Sequence, residues 1–275
     1  IISQAKELNT FLLSHNITPI FIKGTANLLA GLYNDITERM VGDIDFLFSS
    51  QDYPKAIQVL KEWGYCKTVE KNEFFSPWSK HYPRLVKEDK IAAIEIHNVL
   101  LVEEYRDVFS YDFIKKNIQI VNGISLLSFS DKLNISILSF QINDDGFYYN
   151  AISLRNAYDV FLLSKKTSAK NAVSMLGKLM HPTNCFLAIC YDVFNKIDSL
   201  SYHKNNKTSA YLHTFKSQFT NPKATRIRHY IIKKYLGLKI FVTLIYKCIF
   251  YKQYRIWLFH YLKDIKTLKR KYIKI

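Results

Sequence analysis

The sequence predicts an α+β fold, in which a small mixed sheet flanked by helices is followed by an all-helical C-terminal region. Apolar patterns of strand and helix period alternate through the first half of the chain, whereas only the helical period persists in the second half. Charge divides at a similar point: residues 1–150 carry 15 Lys and Arg against 19 Asp and Glu, and residues 151–275 carry 24 against 4. We therefore predict one domain over 1–150 and a basic helical domain over 151–275.

The individual elements follow from apolar spacing and from the residues that begin or end helices. In the first half, helices are predicted at residues 2–15, 26–33 and 52–63, and strands at residues 19–22, 41–48, 65–69, 82–87 and 91–98. In the second half, Ser130 is predicted to cap a helix, and further helices begin near Ser153, Ser168 and Pro182.

Two carboxylates, Asp43 and Asp45, lie two residues apart within an otherwise apolar strand pattern. Side chains alternate across a strand, so both project from one face. Burying two like charges together is costly unless a cation offsets them, and the pair therefore predicts a divalent metal site. Glu95 and His97 share a face of another apolar strand pattern, which makes Glu95 a candidate third acid.

A glycine turn precedes these acids in the chain. The strand pattern at residues 19–22 ends at Lys23, Gly24 and Thr25 and leads directly into a helical pattern. Such a turn allows backbone amides and a helix N-terminus to face an anion. The sequence thus places a candidate anion-binding turn upstream of a candidate metal site.

These motifs resemble the nucleotidyltransferases related in fold to DNA polymerase beta, and within them a group of uncharacterised bacterial nucleotidyltransferases. The resemblance rests on Lys23-Gly24-Thr25 after a strand, on Arg39 followed by Asp43-Ile44-Asp45, and on Glu95-Ile96-His97, and it continues more weakly into residues 154–160. It covers about residues 17–165. Thr25 departs mildly from the wider family, which usually has Gly-Ser or Gly-Gly at this turn. The 17 residues between Thr25 and Asp43 form a longer linker than the wider family's, although the bacterial group shares it.

The resemblance implies a metal-dependent enzyme that moves a nucleoside monophosphate from a nucleoside triphosphate, such as ATP, to an acceptor hydroxyl and releases pyrophosphate. Asp43, Asp45 and Glu95 would be the catalytic acids and the ligands of magnesium, with manganese as an alternative. The residues implied to bind the nucleotide are Lys23, Gly24, Thr25, Arg39 and His97. The acceptor stays open among a small molecule, a sugar, a protein and RNA.

Several of these side chains also have ordinary structural interpretations. His97 is equally interpretable as a residue that ends its strand, Arg39 as a partner of surface acids next to it, and Lys23 as a lysine whose stem packs along the strand. Arg155 and Asp159, four residues apart on a predicted helix, have the spacing of a structural ion pair.

The C-terminal residues 226–275 mix basic and aromatic side chains densely. This composition suits contact with an anionic membrane, contact with RNA or single-stranded nucleic acid, or simply a helical domain in a protein rich in Lys and Tyr. The most apolar stretch, residues 240–246, is far shorter than the roughly 18 to 20 residues with which a helix crosses a bilayer. No transmembrane segment is predicted.

The sequence leaves alternatives open for both the location and the function of the protein. Four cysteines without zinc-ligand spacing indicate a reducing compartment, and no signal-peptide pattern opens the chain, so we predict a cytoplasmic protein, with peripheral attachment at the inner membrane face as an alternative. Two other functions stay open beside the enzyme. One is a non-catalytic module that binds a nucleotide or a partner, and the other is a membrane-surface or nucleic-acid interaction protein.

Overall fold

The computed structural model describes residues 1–68, 77 and 79–272, with side chains as far as residue 263. It divides into two compact units. Unit 1 comprises Ile1–Lys67 and Lys80–Thr220, and unit 2 comprises Thr68–Ser79 and Asn221–Ile275. The sheet and the helices up to residue 220 belong to unit 1. The change in charge suggested a domain boundary at residue 150, and this position lies within unit 1.

The prediction of an α+β fold is confirmed, and the sheet has seven strands. They are β1 (Ile20–Phe21), β2 (Asp43–Leu47), β3 (Cys66–Lys67), β4 (Leu85–Val86), β5 (Ala93–His97), β6 (Gln119–Val121) and β7 (Ile124–Leu126). Their order is β3-β4-β5-β2-β1-β7-β6. The sheet is mixed because β2 lies parallel to β5 while β1 lies antiparallel to β2. The predicted strand at residues 65–69 corresponds to β3, and its last residue lies outside the described part of the chain.

Helices surround the sheet and make up most of the second half. In unit 1 they are α1 (Ile2–Ser14), α2 (Lys23–Leu29), α3 (Asp52–Glu62), α4 (Tyr111–Lys115), α5 (Phe129–Leu138), α6 (Gly146–Tyr149), α7 (Leu154–Ser164), α8 (Ala169–Ser174), α9 (Met180–Val193) and α10 (Asn206–Thr220). In unit 2 they are α11 (Pro222–Phe250) and α12 (Lys252–Tyr272), which pack on each other. No described helix is long and apolar enough to cross a membrane.

Serine caps determine where several of these helices begin. Helices α7 and α8 begin near Ser153 and Ser168 as predicted, and these serines cap them, each hydroxyl accepting a hydrogen bond from a backbone N–H in the first turn. For α5 the cap is Ser128, whose hydroxyl accepts from the Asp131 N–H at 3.1 Å, and Ser130 lies inside the first turn. The prediction of Ser130 as the cap was therefore wrong by two residues, because both serines precede the same acidic residue.

The hairpin of β6 and β7 was not predicted, although its turn has a strong sequence signal. Asn122 and Gly123 adopt positive φ angles of 51° and 75°, as a two-residue hairpin turn requires. β7 then pairs in parallel with β1. The hairpin therefore extends the sheet on the side of β1 that faces away from β2.

Apolar clusters explain why the helices after residue 128 belong to unit 1. One cluster packs α1 and α3 against the face of the sheet that carries Ile44 and Ile94. Another joins Leu32, just after α2, to Val160 of α7 and Phe186 of α9. Because the first and second halves of the chain share this second core, α5 to α9 do not separate from the sheet.

Candidate functional site

The acids meet because β2 and β5 are neighbouring parallel strands in register. Asp45 lies opposite Glu95, and the residues on either side of each acid face the apolar core. Since side chains alternate across both strands, Asp45 and Glu95 share the opposite face, and Asp43 lies on that face one alternate position earlier. We call Asp43, Asp45, Glu95 and His97 the acid cluster.

His97 joins this cluster from the end of β5. It is 2% exposed, and its Nε2 lies 3.0 Å from Asp45 Oδ1 and 3.5 Å from Glu95 Oε2. Asp45, Glu95 and His97 each offer one ligand atom, and these atoms lie within 4.8 Å of one another. Among the residues that the structure describes, the closest group of ligand atoms thus contains His97 in the place predicted for Asp43.

Lys23 lies between these three residues. Its Nζ forms a hydrogen-bonded ion pair with Asp45, and it lies 3.5 Å from Glu95 Oε2 and 3.4 Å from His97 Nε2. The backbone of Lys23 has a φ of 53°, a left-handed conformation that costs about 1 kcal/mol for a residue with a side chain. Backbone strain of this kind concentrates at functional sites, where the surrounding structure holds it.

Arg84 neutralises the remaining acid. Its guanidinium pairs with Asp43, and its Nε lies 4.0 Å from Glu95 Oε1. The antiparallel pairing of β4 with β5 sets Leu85 opposite Ile94, which places Arg84 opposite Glu95. The sequence analysis missed Arg84, because its relation to the acids depends on which strands are neighbours.

Charges inside the acid cluster shift the pKa values of its members. Burial by itself would raise the pKa of Glu95, but the hydrogen bond from His97 and the charge of Lys23 outweigh burial and hold that pKa well below its usual range. Burial would lower the pKa of Lys23, yet the carboxylates of Asp45 and Glu95 raise it overall. For Asp43, burial raises the pKa and Arg84 opposes this only in part. Glu95 and Lys23 therefore both stay charged at neutral pH.

The turn after β1 packs closely against the residues that lead into β2. The left-handed residue is Lys23, whereas Gly24 lies in α2, where a Cβ would come within 2.9 Å of Val41 Cγ2 and 3.3 Å of Arg39 Nη2. Glycine is needed here because of this close approach rather than because of its φ. Thr25 is fully buried, and its hydroxyl donates to the Asp43 carbonyl at 3.0 Å, which fixes the start of β2.

Arg39 forms a buried ion pair with helix α7. Its Nε lies 3.2 Å from Asp159 Oδ1, and the Tyr33 hydroxyl donates to the same oxygen at 2.8 Å. In the described part of the chain, Asp159 therefore pairs with Arg39 rather than with Arg155, the helical neighbour suggested by spacing. Burial raises the pKa of Asp159, and the charge of Arg39 opposes this. The pair holds the loop before β2 against α7.

A cavity of about 480 Å³ opens beside the acid cluster, a volume within the usual range of small-molecule sites. Five residues predicted for the site line it, namely Lys23, Gly24, Arg39, Glu95 and His97, while Thr25, Asp43 and Asp45 are not in its lining. The other lining residues are mostly polar: Lys80, His81, Leu100, Ser136, Ser139, Phe140, Asn143, Asp144, Ser153, Arg155, Asn156 and Asp159.

Helices α5 and α7 and the residues around them supply the far wall of this cavity, which the sequence analysis did not predict. Asn143, in a π-helical turn that continues α5, donates to the Leu100 carbonyl at 2.9 Å. Asn156 donates to the Ser136 carbonyl at 2.8 Å. Isolated Ser and Asn residues on predicted helices carry no sequence signal for a site, so this wall becomes visible only once the helices are packed.

A known protein family matches the part of the chain that contains this site. A model of uncharacterised nucleotidyltransferases matches residues 1–191, which include the whole sheet, the acid cluster and the lining of the cavity. The chain belongs to this nucleotidyltransferase family. The resemblance drawn from the motifs is thereby confirmed, over a longer span than residues 17–165. Among curated proteins, none matches this sequence.

Two crystal structures from Helicobacter pylori are similar to this nucleotidyltransferase chain. One is a candidate nucleotidyltransferase, 14% identical, with 85% of this chain and 94% of that chain covered and a TM-score of 0.37. The other is the protein JHP933, also 14% identical, with coverages of 88% and 95% and a TM-score of 0.37. Neither likeness is used in the arguments that follow.

The donor set of the acid cluster fits a divalent cation. Carboxylate oxygens of Asp45 and Glu95 converge with an imidazole nitrogen of His97, and Asp43 lies beside them. Magnesium prefers carboxylate oxygen, and imidazole suits several divalent transition metals. The ammonium of Lys23 already contacts all three converging residues, so the space between them accommodates a positive charge.

Proposed function

We propose that the protein transfers a nucleoside monophosphate from a nucleoside triphosphate to an acceptor hydroxyl and releases pyrophosphate. The observation that carries this proposal is the in-register pair of Asp45 and Glu95 on adjacent parallel strands, joined by His97 beside a polar cavity. Membership of the nucleotidyltransferase family supports the same class of reaction.

The acid cluster would hold the metal that this reaction uses. Asp45, Glu95 and His97 are the proposed ligands of Mg²⁺ or Mn²⁺, and Asp43 becomes available as a further ligand when Arg84 turns away. A bound divalent cation offsets the negative charge that develops on the transferring phosphates. The chain itself then has to bind, orient and neutralise the rest of the triphosphate.

Three cations of the cavity suit the phosphates. Lys23 neutralises the acids in the structure described here, and its flexible stem allows the ammonium to turn to the triphosphate when a metal takes over the carboxylates. Lys80 and Arg155 line the same cavity. Burial lowers the pKa of Lys80, and pairing with a phosphate would offset that cost.

The chemistry requires no nucleophilic side chain. The acceptor oxygen forms a bond to the α-phosphorus, the bond from that phosphorus to the pyrophosphate oxygen breaks, and the hydroxyl proton leaves to a base. Glu95 is the proposed base, since its carboxylate lies in the cavity wall. While Lys23 contacts Glu95, the carboxylate is a weak base, and movement of the lysine to the phosphates removes one of the charges that lower its pKa.

The test measures binding and turnover in a double variant. Asp43→Asn with Asp45→Asn should abolish magnesium-dependent nucleotide binding, because two of the proposed ligand carboxylates are lost. Calorimetric titration with each nucleoside triphosphate, with and without Mg²⁺, measures this, and transfer of label from the α-phosphate measures turnover. Asp107→Asn with Asp112→Asn changes two exposed acids outside the cluster and is the matched control.

The outcomes distinguish the remaining functions. Metal-dependent binding that survives in the Asp43 and Asp45 double variant would overturn the proposal. Nucleotide binding that depends on the acids, but without release of pyrophosphate for any acceptor, would instead indicate the non-catalytic module. Candidate acceptors should include the protein itself, since the label would then remain on the chain.

A further inference from the structure

Helix α11 exposes a continuous apolar stripe. Ile231, Leu238, Val242, Ile245 and Ile249 are 60%, 61%, 56%, 46% and 64% exposed, whereas aliphatic side chains in the core of unit 1 are almost completely buried. Their spacings of seven, four, three and four residues place them on one face of the helix. Tyr235, 55% exposed, extends the same face. An exposed apolar face of this length points to a binding surface.

The stripe does not include the one buried residue of α11 in the described part of the chain. Leu236, which is 8% exposed, and Tyr254 of α12, which is 3% exposed, are the buried members of the described part of this helical pair. Leu236 lies two residues before Leu238, and two residues correspond to a little over half a turn. The buried Leu236 and the apolar stripe therefore lie on different sides of α11.

Basic side chains border the stripe on both sides. Arg228 and Lys234 lie three residues before and three residues after Ile231, so one borders each side of the stripe. Lys239, three residues before Val242, lies on the same side as Arg228. Lys and Arg in this position can extend their charged ends to lipid headgroups while their stems follow the apolar surface.

The net charge of the protein is concentrated in this region. Residues 221–275 carry 15 Lys and Arg and one Asp, a net charge of +14, whereas residues 1–220 carry 24 against 22, a net charge of +2. This charge opposes pairing of the stripe with a second copy of the same helix, and it favours an anionic surface. Nucleic acid would satisfy the charge but not the aliphatic stripe, because bases stack on aromatic rather than on aliphatic side chains.

We propose that α11 and α12 bind the surface of an anionic membrane, with the apolar stripe of α11 at the boundary between headgroups and acyl chains. Since no described helix is long and apolar enough to cross a membrane, this contact lies in the plane of the interface. α12 adds Trp257 and Tyr261, which stack with ring centroids 5.0 Å apart, and such aromatic side chains are enriched at membrane interfaces. Residues 273–275, at the end of the basic segment 226–275, lie outside the described residues.

The experiment is co-sedimentation of the whole chain with vesicles of phosphatidylcholine, with and without phosphatidylglycerol. The chain should bind the anionic vesicles at least tenfold more tightly than the neutral ones, and added salt should weaken the binding. The triple variant Leu238→Ser, Val242→Ser and Ile245→Ser should bind the anionic vesicles at least tenfold more weakly, because it cannot insert the stripe. These side chains are exposed, so the variant should keep the helical circular dichroism of the wild type.

A matched control removes as many exposed apolar side chains elsewhere. Ile91→Ser, Ile120→Ser and Met175→Ser change residues that are 94%, 75% and 65% exposed in unit 1, and this variant should bind vesicles as the wild type does. A second variant, Arg228→Gln with Lys234→Gln and Lys239→Gln, should weaken binding to anionic vesicles and reduce its dependence on salt.

Three results would overturn the proposal. The first is equal vesicle binding by the wild type and the triple serine variant. The second is a dimer in analytical ultracentrifugation that forms in the wild type and the matched control but not in the triple serine variant. That result would assign the stripe to a second copy of the chain. The third is tight, salt-dependent binding of single-stranded RNA without any binding of anionic vesicles. None of these results bears on the nucleotidyl transfer reaction, because vesicle binding is measured without nucleotide.

Discussion

A single lysine contacts each of the three residues whose ligand atoms converge. Lys23 pairs with Asp45, approaches Glu95 and His97, and does so from a left-handed backbone conformation. A divalent metal and this ammonium require the same carboxylate oxygens. At the residue scale, the metal and Lys23 therefore compete for the acids, and the nucleotide offers the lysine a second place to bind.

Replacing Lys23 tests this competition. Lys23→Met should bind Mn²⁺ about tenfold more tightly in the absence of nucleotide, equivalent to about 1.4 kcal/mol, because no resident cation has to leave. The same variant should bind nucleoside triphosphate more weakly, since a phosphate contact is lost. Titration followed by the electron paramagnetic resonance of free Mn²⁺ measures the first effect. Lys90→Met, which removes a lysine paired with Glu7 outside the acid cluster, is the control, and an unchanged affinity for Mn²⁺ in Lys23→Met would contradict the competition.

A second lysine bears on stability rather than on the proposed reaction. Lys132 in α5 is 1% exposed, and its Nζ has no hydrogen-bond partner among the described residues. The Nζ lies 5.0 Å from the centroid of the Phe129 ring. Burial lowers the pKa of Lys132 to about 8, from an ordinary value of 10.5. The folded protein therefore binds this proton less tightly than the unfolded chain does.

The pH dependence of unfolding should show this buried charge. Below about pH 8, Lys132 is charged in both states, and its burial lowers the free energy of unfolding. This loss is recovered as the pH rises from about 8 to 10.5, because Lys132 is then neutral in the folded protein but still charged in the unfolded chain. Lys132→Met should raise the free energy of unfolding at neutral pH by up to about 3 kcal/mol and should remove this rise. Urea unfolding across the pH range measures both effects, with Lys166→Met, at an exposed position, as the control. Parallel pH profiles for wild type and Lys132→Met would refute the assignment.

At the scale of elements, the segment from β1 through α2 to β2 orders the site by close contact. Gly24 in α2 approaches Val41 and Arg39, the Thr25 hydroxyl binds the backbone of Asp43, and Arg39 pairs with Asp159 of α7. Each contact fixes the position of an element that carries a residue of the acid cluster or of the cavity.

Two glycine substitutions test whether the close packing of Gly24 against Val41 and Arg39 is what requires glycine at that position. Gly24→Ala should destabilise the protein by about 1–3 kcal/mol and weaken nucleotide binding, because its Cβ would meet Val41 Cγ2 at 2.9 Å. Gly42→Ala is the matched control, since a Cβ there meets nothing within 4 Å, and its stability should change by less than about 1 kcal/mol. Thermal unfolding and calorimetric titration measure the two effects. Equal losses in both variants would show that the approach of α2 to the residues before β2 is not what requires glycine.

At the scale of the whole molecule, the proposed reaction and the proposed membrane contact belong to different compact units. The described apolar clusters of the core consist of residues up to Phe215, and the acid cluster and cavity also lie in unit 1. The stripe and most of the net positive charge lie after residue 220. Each function should therefore survive the loss of the other.

Ending the chain at Thr220 tests this independence. The shortened protein should keep its midpoint of thermal unfolding to within a few degrees, because the core clusters are retained, and it should bind nucleotide with unchanged affinity. It should not sediment with anionic vesicles. The reciprocal control is the Asp43→Asn and Asp45→Asn double variant, which should bind vesicles as the wild type does. Loss of cooperative unfolding in the shortened chain would contradict the independence of unit 1.

Local patterns in the sequence predicted much of the fold and identified the acids of the candidate site. Alternation within a strand was enough to place Asp43 and Asp45 on one face, and the helical spacing of apolar residues located the starts of α7 and α8. The Asn122-Gly123 hairpin carried an equally local signal and was overlooked. These features depend on residues that are close in the sequence, so periodicity and turn chemistry are sufficient to predict them.

Local spacing and motifs were therefore sufficient to predict the α+β class, the face shared by the two aspartates and the family of the chain. The folded chain was needed to show that β2 lies beside β5 with Asp45 opposite Glu95, that Lys23 and Arg84 neutralise the acids, and that Arg39 pairs with Asp159. These contacts join residues far apart in the chain. Strand order and helix packing set them, and neither is encoded in the spacing of neighbouring residues.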